Sequence, residues 1–370
     1  MKYYIIAGEA SGDLHGSGLM KALYKEDPEA DIRFWGGDLM QQAGGTLVKH
    51  YRELAFMGFA EVITNLKTIL NNIKFCKKDI MAFQPDVIIF IDYPGFNMRI
   101  AKWAKLEGIR THYYISPQIW AWKENRIKDI RRDVDKMYVI LPFEKDFYEK
   151  KHDYPVEFVG HPLIDAIHNR NVSDENTFRK TNGLDDKPII ALLPGSRKQE
   201  ITKMLSVMLS VVNDFPDYQF VIAGAPGQEY AFYEQFLTNK NVHFIANKTY
   251  DLLDISTAAL VTSGTATLET ALFKVPEVVC YKGSWASYQI AKRIITLKYI
   301  SLVNLIMDKP VVAELIQDDC NTKRIKEELV KILEPNYRKS LLNEYDILED
   351  KLGRTGAAAK TAKLIVSDLR

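Results

Sequence analysis

Short β-branched or aromatic runs alternate with longer helical patterns along most of the 370 residues, and this alternation restricts the fold more than any other feature. Alternation of this kind is typical of parallel βα units. The first series of strand-like runs covers residues 3–7, 32–35, 86–91, 111–115, 137–141 and 156–159. The second series covers residues 188–193, 219–223, 242–245, 258–261 and 278–281. The pattern predicts an α/β protein with two doubly wound parallel sheets.

A polar stretch at residues 169–187 separates the two series of strands. We therefore predict one Rossmann-like domain over residues 1–165 and another over residues 166–345. The last segment, residues 346–370, has helical periodicity, and we expect it to pack back on the first domain or on a partner chain. Because such sheets bind ligands outside the carboxyl ends of their strands, the expected site is a cleft between the two domains.

Composition and charge exclude several classes of protein. Lysine and arginine total 49 against 48 acidic residues, so the net charge of +1 gives no support for a nucleic-acid partner. The three cysteines are far apart, and neither they nor the histidines have metal-ligand spacing, so no disulfide framework or metal site is expected. With no signal peptide and no apolar stretch of 18 residues, we expect an intracellular protein that does not span a membrane.

Two strand-to-helix turns in the second half could bind phosphate. In the segment at 192–200, the amides of Gly195 and Ser196 would meet a phosphate at a helix start, and Arg197 would add a planar cation. In the segment at 261–269, hydroxyls and Gly264 precede another helix, and Glu269 could accept hydrogen bonds from ribose hydroxyls. Each turn alone is equally compatible with a structural role, as a Gly-Ser turn beside a solvated arginine or as a helix N-cap.

The first half contains a buried strand that ends at a carboxylate. Asp92 follows the continuously apolar run at 86–91 and precedes Tyr93 and Pro94. A partly desolvated carboxylate there could accept a proton from an alcohol, although an Asx turn would explain the same residue. The loop at residues 8–16 has glycines that allow close approach to a ligand, but it matches neither GxGxxG nor the Walker loop.

Three further segments combine apolar or aromatic residues with positive charge. The spacing of apolar residues in 56–73 predicts an amphipathic helix with additional apolar bulk at its start, which fits core packing or contact with an acyl chain. Residues 278–307 contain no acidic residue and interleave lysines, Arg293 and aromatic residues, and residues 120–132 form a similar patch. Both patches fit a solvated helix face or an anionic membrane surface.

Six motifs together, in this order along the chain, closely resemble the bacterial lipid A disaccharide synthase family. They are GEASGDLHG at 8–16, IDYPGFN at 91–97, SPQIWAW at 116–122, FVGHPL at 158–163, LLPGSRKQEI at 192–201 and SGTATLE at 263–269. The resemblance covers essentially the whole chain. It implies an inverting glycosyltransferase of the GT-B fold that needs neither a metal nor a cofactor.

The resemblance also implies the substrates and the location. The donor would be UDP-2,3-diacylglucosamine, bound by the second domain, and the acceptor would be 2,3-diacylglucosamine 1-phosphate (lipid X), bound by the first. Transfer to the 6-hydroxyl would form a β-1,6-linked disaccharide phosphate and UDP. The enzyme would work in the cytoplasm, peripherally attached to the anionic surface of the inner membrane, and a homodimer is a further implied partner.

Functional residues follow from the same resemblance. Asp92 matches the catalytic aspartate, and Arg197 matches the arginine of the nucleotide half. The implied substrate-binding residues of the first domain are Gly8, Glu9, Ser11, Gly12, Asn97 and Gln118. Those of the second domain are Gly195, Ser196, Glu200, Ser263, Gly264, Thr265, Thr267, Glu269 and Asn304. Glu277, which is separated from Glu269 by seven residues, is set aside because it follows Pro276 at the entry of a β-branched run.

Two alternatives remain open from the sequence. A UDP-sugar 2-epimerase would share two nucleotide-binding halves and a carboxylate in the cleft, but it would need no surface for lipid. A peripheral membrane module that binds a nucleotide sugar without catalysis would bind UDP and yield no disaccharide.

Overall fold

The computed structural model describes residues 1–54, 66–225, 228–283 and 298–370. It divides into two compact units, the first formed by Met1–Asn169 together with Leu352–Arg370 and the second by Arg170–Lys351. Part of the amphipathic segment 56–73 and part of the basic segment 278–307 lie outside the described residues. Within the described ranges, no helix is long and apolar enough to cross a membrane.

The first unit contains a seven-stranded parallel sheet in the order β3-β2-β1-β4-β5-β6-β7. Its strands are β1 Lys2–Ala7, β2 Asp31–Gly36, β3 Thr46–His50, β4 Val87–Ile91, β5 Thr111–Tyr114, β6 Lys136–Val139 and β7 Glu157–Phe158. The central strands are apolar throughout because helices cover both faces of the sheet. The strand order reverses between β1 and β4, which places a ligand crevice beyond the ends of these two strands.

The helices of the first unit connect these strands. They are α1 Ala10–Glu26, α2 Asp38–Ala43, α3 Leu66–Phe83, α4 Pro94–Leu106, α5 Ile119–Trp122, α6 Ile127–Asp133, α7 Pro142–Asp146 and α8 Pro162–His168. Short 3-10 turns cover Tyr51–Glu53 and Glu124–Arg126, and a π turn covers Phe147–Lys151. The core of the unit lies between β1, β4 and β5 and the helices α3 and α4.

The second unit contains a six-stranded parallel sheet in the order β10-β9-β8-β11-β12-β13. Its strands are β8 Ile189–Leu193, β9 Gln219–Gly224, β10 Val242–Ala246, β11 Ser256–Thr262, β12 Glu277–Tyr281 and β13 Ala313–Ile316. Here the order reverses between β8 and β11. The two turns that the sequence assigns to phosphate follow these two strands, so both lie at the second crevice.

The helices of the second unit are shorter on average, apart from those near its end. They are α9 Glu175–Thr181, α10 Lys198–Met208, α11 Tyr230–Tyr233, α12 Thr249–Asp254, α13 Thr265–Leu272, α14 Leu302–Met307, α15 Thr322–Leu333 and α16 Pro335–Lys351. Turns of 3-10 helix cover Leu209–Asp214, Glu234–Phe236 and Gln317–Asp319. A last helix, α17 Ala357–Leu369, belongs to the first unit.

Two strands are absent from the sequence prediction, β3 and β13. Both are edge strands, and most of their residues are only half-buried because one side of each strand has no neighbour. Their sequences, TLVKH and AELI, therefore mix polar and apolar residues and lack the continuous apolar character of the inner strands. The periodicity that identifies buried strands does not detect edge strands of this kind.

The division into units also differs from the sequence prediction at its last boundary. The sequence places residues 346–351 with the terminal helix, whereas α16 continues to Lys351 within the second unit. The chain then enters the first unit, where α17 packs against α1 and α8. The first boundary lies after Asn169, compared with the predicted residue 165, because α8 continues to His168.

Candidate active site

The turn after β4 is held in an unusual backbone conformation. Asp92 and Tyr93 have φ angles of 42° and 50°, in the left-handed region that side chains rarely adopt. The carbonyl of Asp92 accepts hydrogen bonds from the Tyr113 hydroxyl at 2.6 Å and the Asn97 amide nitrogen at 2.7 Å. Surrounding contacts of this sort are what maintain a strained backbone, and strained residues cluster at functional sites.

The Asp92 carboxyl group is suited to proton transfer. Burial, together with the smaller effect of the neighbouring Glu9 carboxylate, raises its pKa from 3.8 to about 6. A general base is most effective when its pKa lies near the working pH. The carboxylate of Asp92 is therefore mostly ionised at neutral pH and still basic enough to accept a proton.

Asn97 supports this turn from within the protein. Its side chain is completely buried, and its amide nitrogen also donates to the carbonyls of Ile6 and Ile91. The motif resemblance implies substrate contact for Asn97, but direct contact does not fit this geometry. The residue instead links the ends of β1 and β4, the two strands that flank the crevice.

The loop after β1 contains buried glycines and exposed polar residues. Gly8 and Gly12 are buried, and a β-carbon at Gly8 would overlap the ring of Tyr93. Glycine at position 8 therefore allows the Asp92–Tyr93 turn to approach β1. Glu9 and Ser11 are exposed, which leaves their side chains available for a ligand.

A pocket of about 210 Å³ opens beside Asp92 in the first unit. Its other lining residues are Pro94, Pro117, Gln118, Ile119, Trp122, Lys123 and Arg126. The predicted contact Gln118 thus shares a pocket with the predicted base. In the sequence, Lys123 and Arg126 belong to the basic patch at residues 120–132, and the structure places both in this pocket.

Glu144 was missed by the sequence analysis, and it organises one wall of the pocket. Its carboxylate is fully buried and accepts hydrogen bonds from the Ser116 hydroxyl at 2.6 Å and the Trp120 indole at 3.2 Å. It also accepts from the amides of Ile140 and Leu141. Burial raises the pKa of Glu144. The sequence signal for Glu144 is an acidic residue two positions after Pro142, in the short helix that follows β6.

The second unit has its own pocket, of about 320 Å³, at the crevice between β8 and β11. The predicted residues that line it are Gly195, Ser196, Glu200, Ser263, Gly264, Thr265 and Glu269. Glu269 accepts a hydrogen bond from the Tyr250 hydroxyl at 2.9 Å, and burial raises its pKa. Tyr250, which the sequence analysis did not identify, therefore fixes the carboxyl group that the prediction assigns to ribose.

The β8 turn has the geometry of an anion site. Gly195 has φ 98°, a left-handed conformation that favours glycine. The Ser196 amide donates to the Glu200 carboxylate at 3.3 Å, so this carboxylate lies over the amide that the sequence assigns to phosphate. Arg197 is exposed next to it and has no ion pair in the described part of the chain. An incoming diphosphate would replace the Glu200 contact.

Two predicted contacts of the second unit are occupied within the protein. Thr267 is fully buried, and its hydroxyl donates to the carbonyl of Gly264 at 2.9 Å, so it serves the turn and not a ligand. Asn304 is also buried, and its amide nitrogen donates to the Val312 carbonyl and the Glu314 carboxylate. Its amide oxygen accepts from two backbone amides. Neither side chain fits direct contact with substrate in this geometry.

Asn304 is nevertheless connected to the pocket. The Glu314 carboxylate, which accepts a hydrogen bond from the Asn304 side chain, also accepts hydrogen bonds from the backbone amides of Ile300 and Ser301. The carbonyl of Ile300 in turn accepts from the Ser263 hydroxyl at 2.8 Å, in the pocket turn. Asn304 therefore stabilises, through Glu314, the segment at Ile300 and Ser301 to which the Ser263 hydroxyl donates. Glu277 is buried in β12 and does not line the pocket.

The fold and these two pockets define a class. Two parallel α/β sheets with a ligand crevice in each are the arrangement of GT-B glycosyltransferases and of the UDP-sugar enzymes that share their fold. The UDP-GlcNAc 2-epimerase of Neisseria meningitidis bound to UDP-GlcNAc matches with a TM-score of 0.71, covering 100% of this chain and 99% of that one. The Methanocaldococcus jannaschii epimerase in complex with UDP-GlcNAc and UDP gives 0.67, covering 99% and 100%. Both are 14% identical, so the likeness concerns the fold alone.

Sequence comparison gives the family. The family model for lipid-A-disaccharide synthetase matches residues 3–365. The lipid-A-disaccharide synthase of Syntrophus aciditrophicus is 41% identical over 98% of this chain and 96% of its own. The corresponding proteins of Coxiella burnetii and Geobacter sulfurreducens are 38% and 37% identical, over 98% and 99% of this chain and 96% of each relative. The chain belongs to the lipid-A-disaccharide synthetase family and is a glycosyltransferase of lipid A disaccharide synthesis, which confirms the resemblance and the GT-B fold class.

Proposed function

We propose that this enzyme transfers 2,3-diacylglucosamine from UDP-2,3-diacylglucosamine to the 6-hydroxyl of lipid X, with inversion at the anomeric carbon. The products are UDP and the β-1,6-linked disaccharide 1-phosphate. The observation that carries the proposal is the Asp92 carboxyl group, which ends β4 at the crevice, lines a pocket and has a pKa raised to about 6. An epimerase is supported only by likeness of fold at 14% identity.

In the proposed reaction, Asp92 takes the proton from the 6-hydroxyl as the acceptor oxygen attacks the anomeric carbon. The bond between that carbon and the diphosphate breaks, and the electron pair leaves with UDP. Arg197 and the amides of Gly195 and Ser196 balance the charge that develops on the diphosphate. Removing one such preorganised donor typically costs about 3 to 4 kcal/mol in the barrier.

Replacement of Asp92 tests the proposal directly. Asp92→Asn keeps the shape of the side chain and removes its basicity, so we expect unchanged UDP affinity and less than a tenth of the wild-type rate. The matched control is Asp86→Asn, because Asp86 is an exposed carboxylate just before the same strand, where it accepts from the Lys2 amide. Mass spectrometry of the products, UDP and the tetraacyl disaccharide, measures the rate of both variants. Retention of more than a tenth of the wild-type rate by Asp92→Asn would show that Asp92 is not the proton acceptor.

Contact with a membrane surface is the second part of the proposal. On the outer face of α3, Leu70, Phe75 and Met81 are 47, 47 and 49% exposed. The exposed Lys67, Lys74 and Lys78 lie on the same helix. Apolar side chains interleaved with lysines suit the cytoplasmic face of an anionic bilayer, from which acylated substrates would be drawn.

Vesicle co-sedimentation tests this surface. We expect binding to vesicles that contain phosphatidylglycerol at low salt, weaker binding at high salt, and a clear loss for the triple variant L70S/F75S/M81S. Wild-type protein that stays in the supernatant at both salt concentrations would contradict the proposal. The predicted homodimer remains a prediction, which sedimentation velocity of the wild type measures.

A further inference from the structure

Two cations lie in the pocket that contains Asp92. Lys123 and Arg126 both line it, and the Lys123 ammonium lies 4.0 Å from the centre of the Trp122 ring. Both residues are half-buried. Neither has an ion pair in the portion of the chain that the structure describes.

The nearest carboxylate in sequence is directed elsewhere. Glu124, between the two cations, forms ion pairs with Lys151 at 2.7 Å and His152 at 3.1 Å. The pKa of Lys123 is lowered by partial burial and by repulsion from Arg126. An anion bound between neighbouring cations would relieve this repulsion. The pocket therefore contains two cations that form no ion pair among the described residues, together with the Asp92 carboxylate.

The size and the construction of the pocket restrict the ligand. A volume of about 210 Å³ is below the roughly 300 to 1,000 Å³ of pockets that enclose drug-sized ligands, so it suits a polar headgroup and leaves acyl chains outside. The buried Glu144 holds Ser116 and Trp120, on either side of Pro117 and Gln118, by hydrogen bonds. The part of the lining formed by Pro117 and Gln118 is thus held by internal contacts before a ligand arrives.

We propose that Lys123 and Arg126 bind the phosphomonoester of the acceptor sugar and so make the enzyme selective for a phosphorylated acceptor. A phosphomonoester carries a charge of about −1.5 to −2 at neutral pH, and the planar guanidinium matches two of its oxygens. Binding at this end of the sugar would hold the rest of the headgroup against Asp92. The inference rests on the proposed function, because it takes the ligand of this pocket to be the acceptor.

The headgroup phosphate of an anionic membrane lipid offers the same chemistry. The two sources are distinguished by measuring the reaction with short-chain acceptors in the absence of any vesicle. One acceptor carries the 1-phosphate, and the other is the same diacylglucosamine without it. Wild type, K123Q, R126Q and the double variant are compared with a control double variant, K102Q/K128Q, which removes the same charge from exposed positions outside the pocket.

For the double variant we expect KM for the phosphorylated acceptor to rise about 10- to 100-fold, as for loss of charged hydrogen bonds. KM for the UDP-sugar and the rate with the unphosphorylated acceptor should stay within about twofold of wild type. The control should behave as wild type. An equal effect on both acceptors, or an effect that appears only on anionic vesicles, would overturn the inference.

Direct binding separates this inference from the proposed reaction. Calorimetry with glucosamine 1-phosphate needs no turnover, and we expect binding by the wild type and by the control variant but not by K123Q/R126Q. If the wild type binds this probe yet forms no disaccharide, the proposed reaction fails while the anion site stands. If all variants bind it equally, the assignment of Lys123 and Arg126 fails.

Discussion

Asp92 combines a strained backbone with a partly buried charge, and each of these costs folding free energy. The left-handed conformation typically costs about 1 to 3 kcal/mol where the residue is not glycine. The carboxylate is ionised at neutral pH although its surroundings favour the protonated form. Residues that reduce stability in this way are common where function requires them.

The stability of Asp92→Asn should therefore depend on pH. Between pH 3.8 and about 6 the unfolded chain releases the proton of Asp92 while the folded chain keeps it, so this residue reduces stability as pH rises through that window. A pKa raised from 3.8 to about 6 corresponds to about 3 kcal/mol.

We expect Asp92→Asn to be more stable than wild type by up to about 3 kcal/mol at pH 8 and equal to it near pH 3.5. Urea unfolding at both pH values measures the difference. A variant that is less stable than wild type at pH 8 would show that the carboxylate is stabilised by partners and not strained.

Tyr113 positions the same residue through its backbone. In Tyr113→Phe the Asp92 carbonyl keeps only the Asn97 donor, so the turn should relax and the carboxylate should move from its reactive position. We expect kcat to fall about 5- to 50-fold with little change in KM, since small misplacements of a catalytic group are costly.

The control is Tyr154→Phe, which removes another buried hydroxyl that donates to a carbonyl, that of Val134 at 3.0 Å. Both variants should lose about 1 kcal/mol of stability, so a shared loss of stability would not explain a loss of rate in only one. Equal rates in the two variants would show that Tyr113 does not position Asp92 and contributes only to the core.

At the scale of elements, the last helix depends on contacts that are distant in sequence. Asp165 in α8 accepts hydrogen bonds from the amides of Gly356 and Ala358 at the start of α17. At the other end, Asp368 pairs with the buried His112 in β5 at 3.1 Å. The sequence predicts a helix in this region from its periodicity, but only these contacts determine which part of the protein it covers.

Asp165→Ala should leave two amides at the start of α17 without their acceptor. We expect a loss of about 0.5 to 2 kcal/mol and faster hydrogen exchange in residues 357–369, as for loss of an N-cap. Asp174→Ala is the matched control, because Asp174 caps α9 in the second unit by accepting from Thr177. It should lose similar stability without faster exchange in α17, and faster exchange there in both variants would contradict the assignment.

At the scale of the whole molecule, the two units differ in how many buried histidines they contain, with three lowered histidine pKa values in the first unit and that of His243 in the second. The first unit also contains Asp92 and Glu144, whose raised pKa values act in the opposite sense but are fewer. In the first unit, burial lowers the pKa values of His15 and His112 to about 4 and that of His161 to about 3. Since the unfolded chain binds their protons near pH 6.5, stability falls as pH drops from 6.5 towards 4. In the second unit, burial raises the pKa values of Glu269 and Glu277, so protonation at low pH favours its folded state.

Acidification should therefore unfold the first unit before the second. Four of the five tryptophans lie between residues 35 and 122, so tryptophan fluorescence mainly reports on the first unit. We expect it to change at a higher pH than hydrogen exchange in β8, β9 and β11. A single transition in which both signals change together would show that the units unfold as one body.

Local features of the sequence determine much of this protein. The inner strands are recognisable because burial on both faces requires continuous apolar runs, and the turns at Asp92 and Gly195 are recognisable because glycine, proline and acidic residues end those runs. Consequently the two parallel α/β sheets could be predicted, together with seven of the fifteen residues that line the second pocket and two of the eight that line the first. The order of the motifs along the chain was sufficient to indicate the family.

Only the tertiary structure decides how polar side chains are used. Asn97, Thr267 and Asn304 match family positions for which the resemblance implies substrate contact, yet their side chains are buried and donate hydrogen bonds to acceptors within the protein. Conversely, Lys123 and Arg126 look like surface charges until β4 and the segment after β5 bring them beside Asp92. Hydrogen-bond partners and neighbouring charges depend on distances between residues far apart in the chain, and a pattern of residue types contains no such distances.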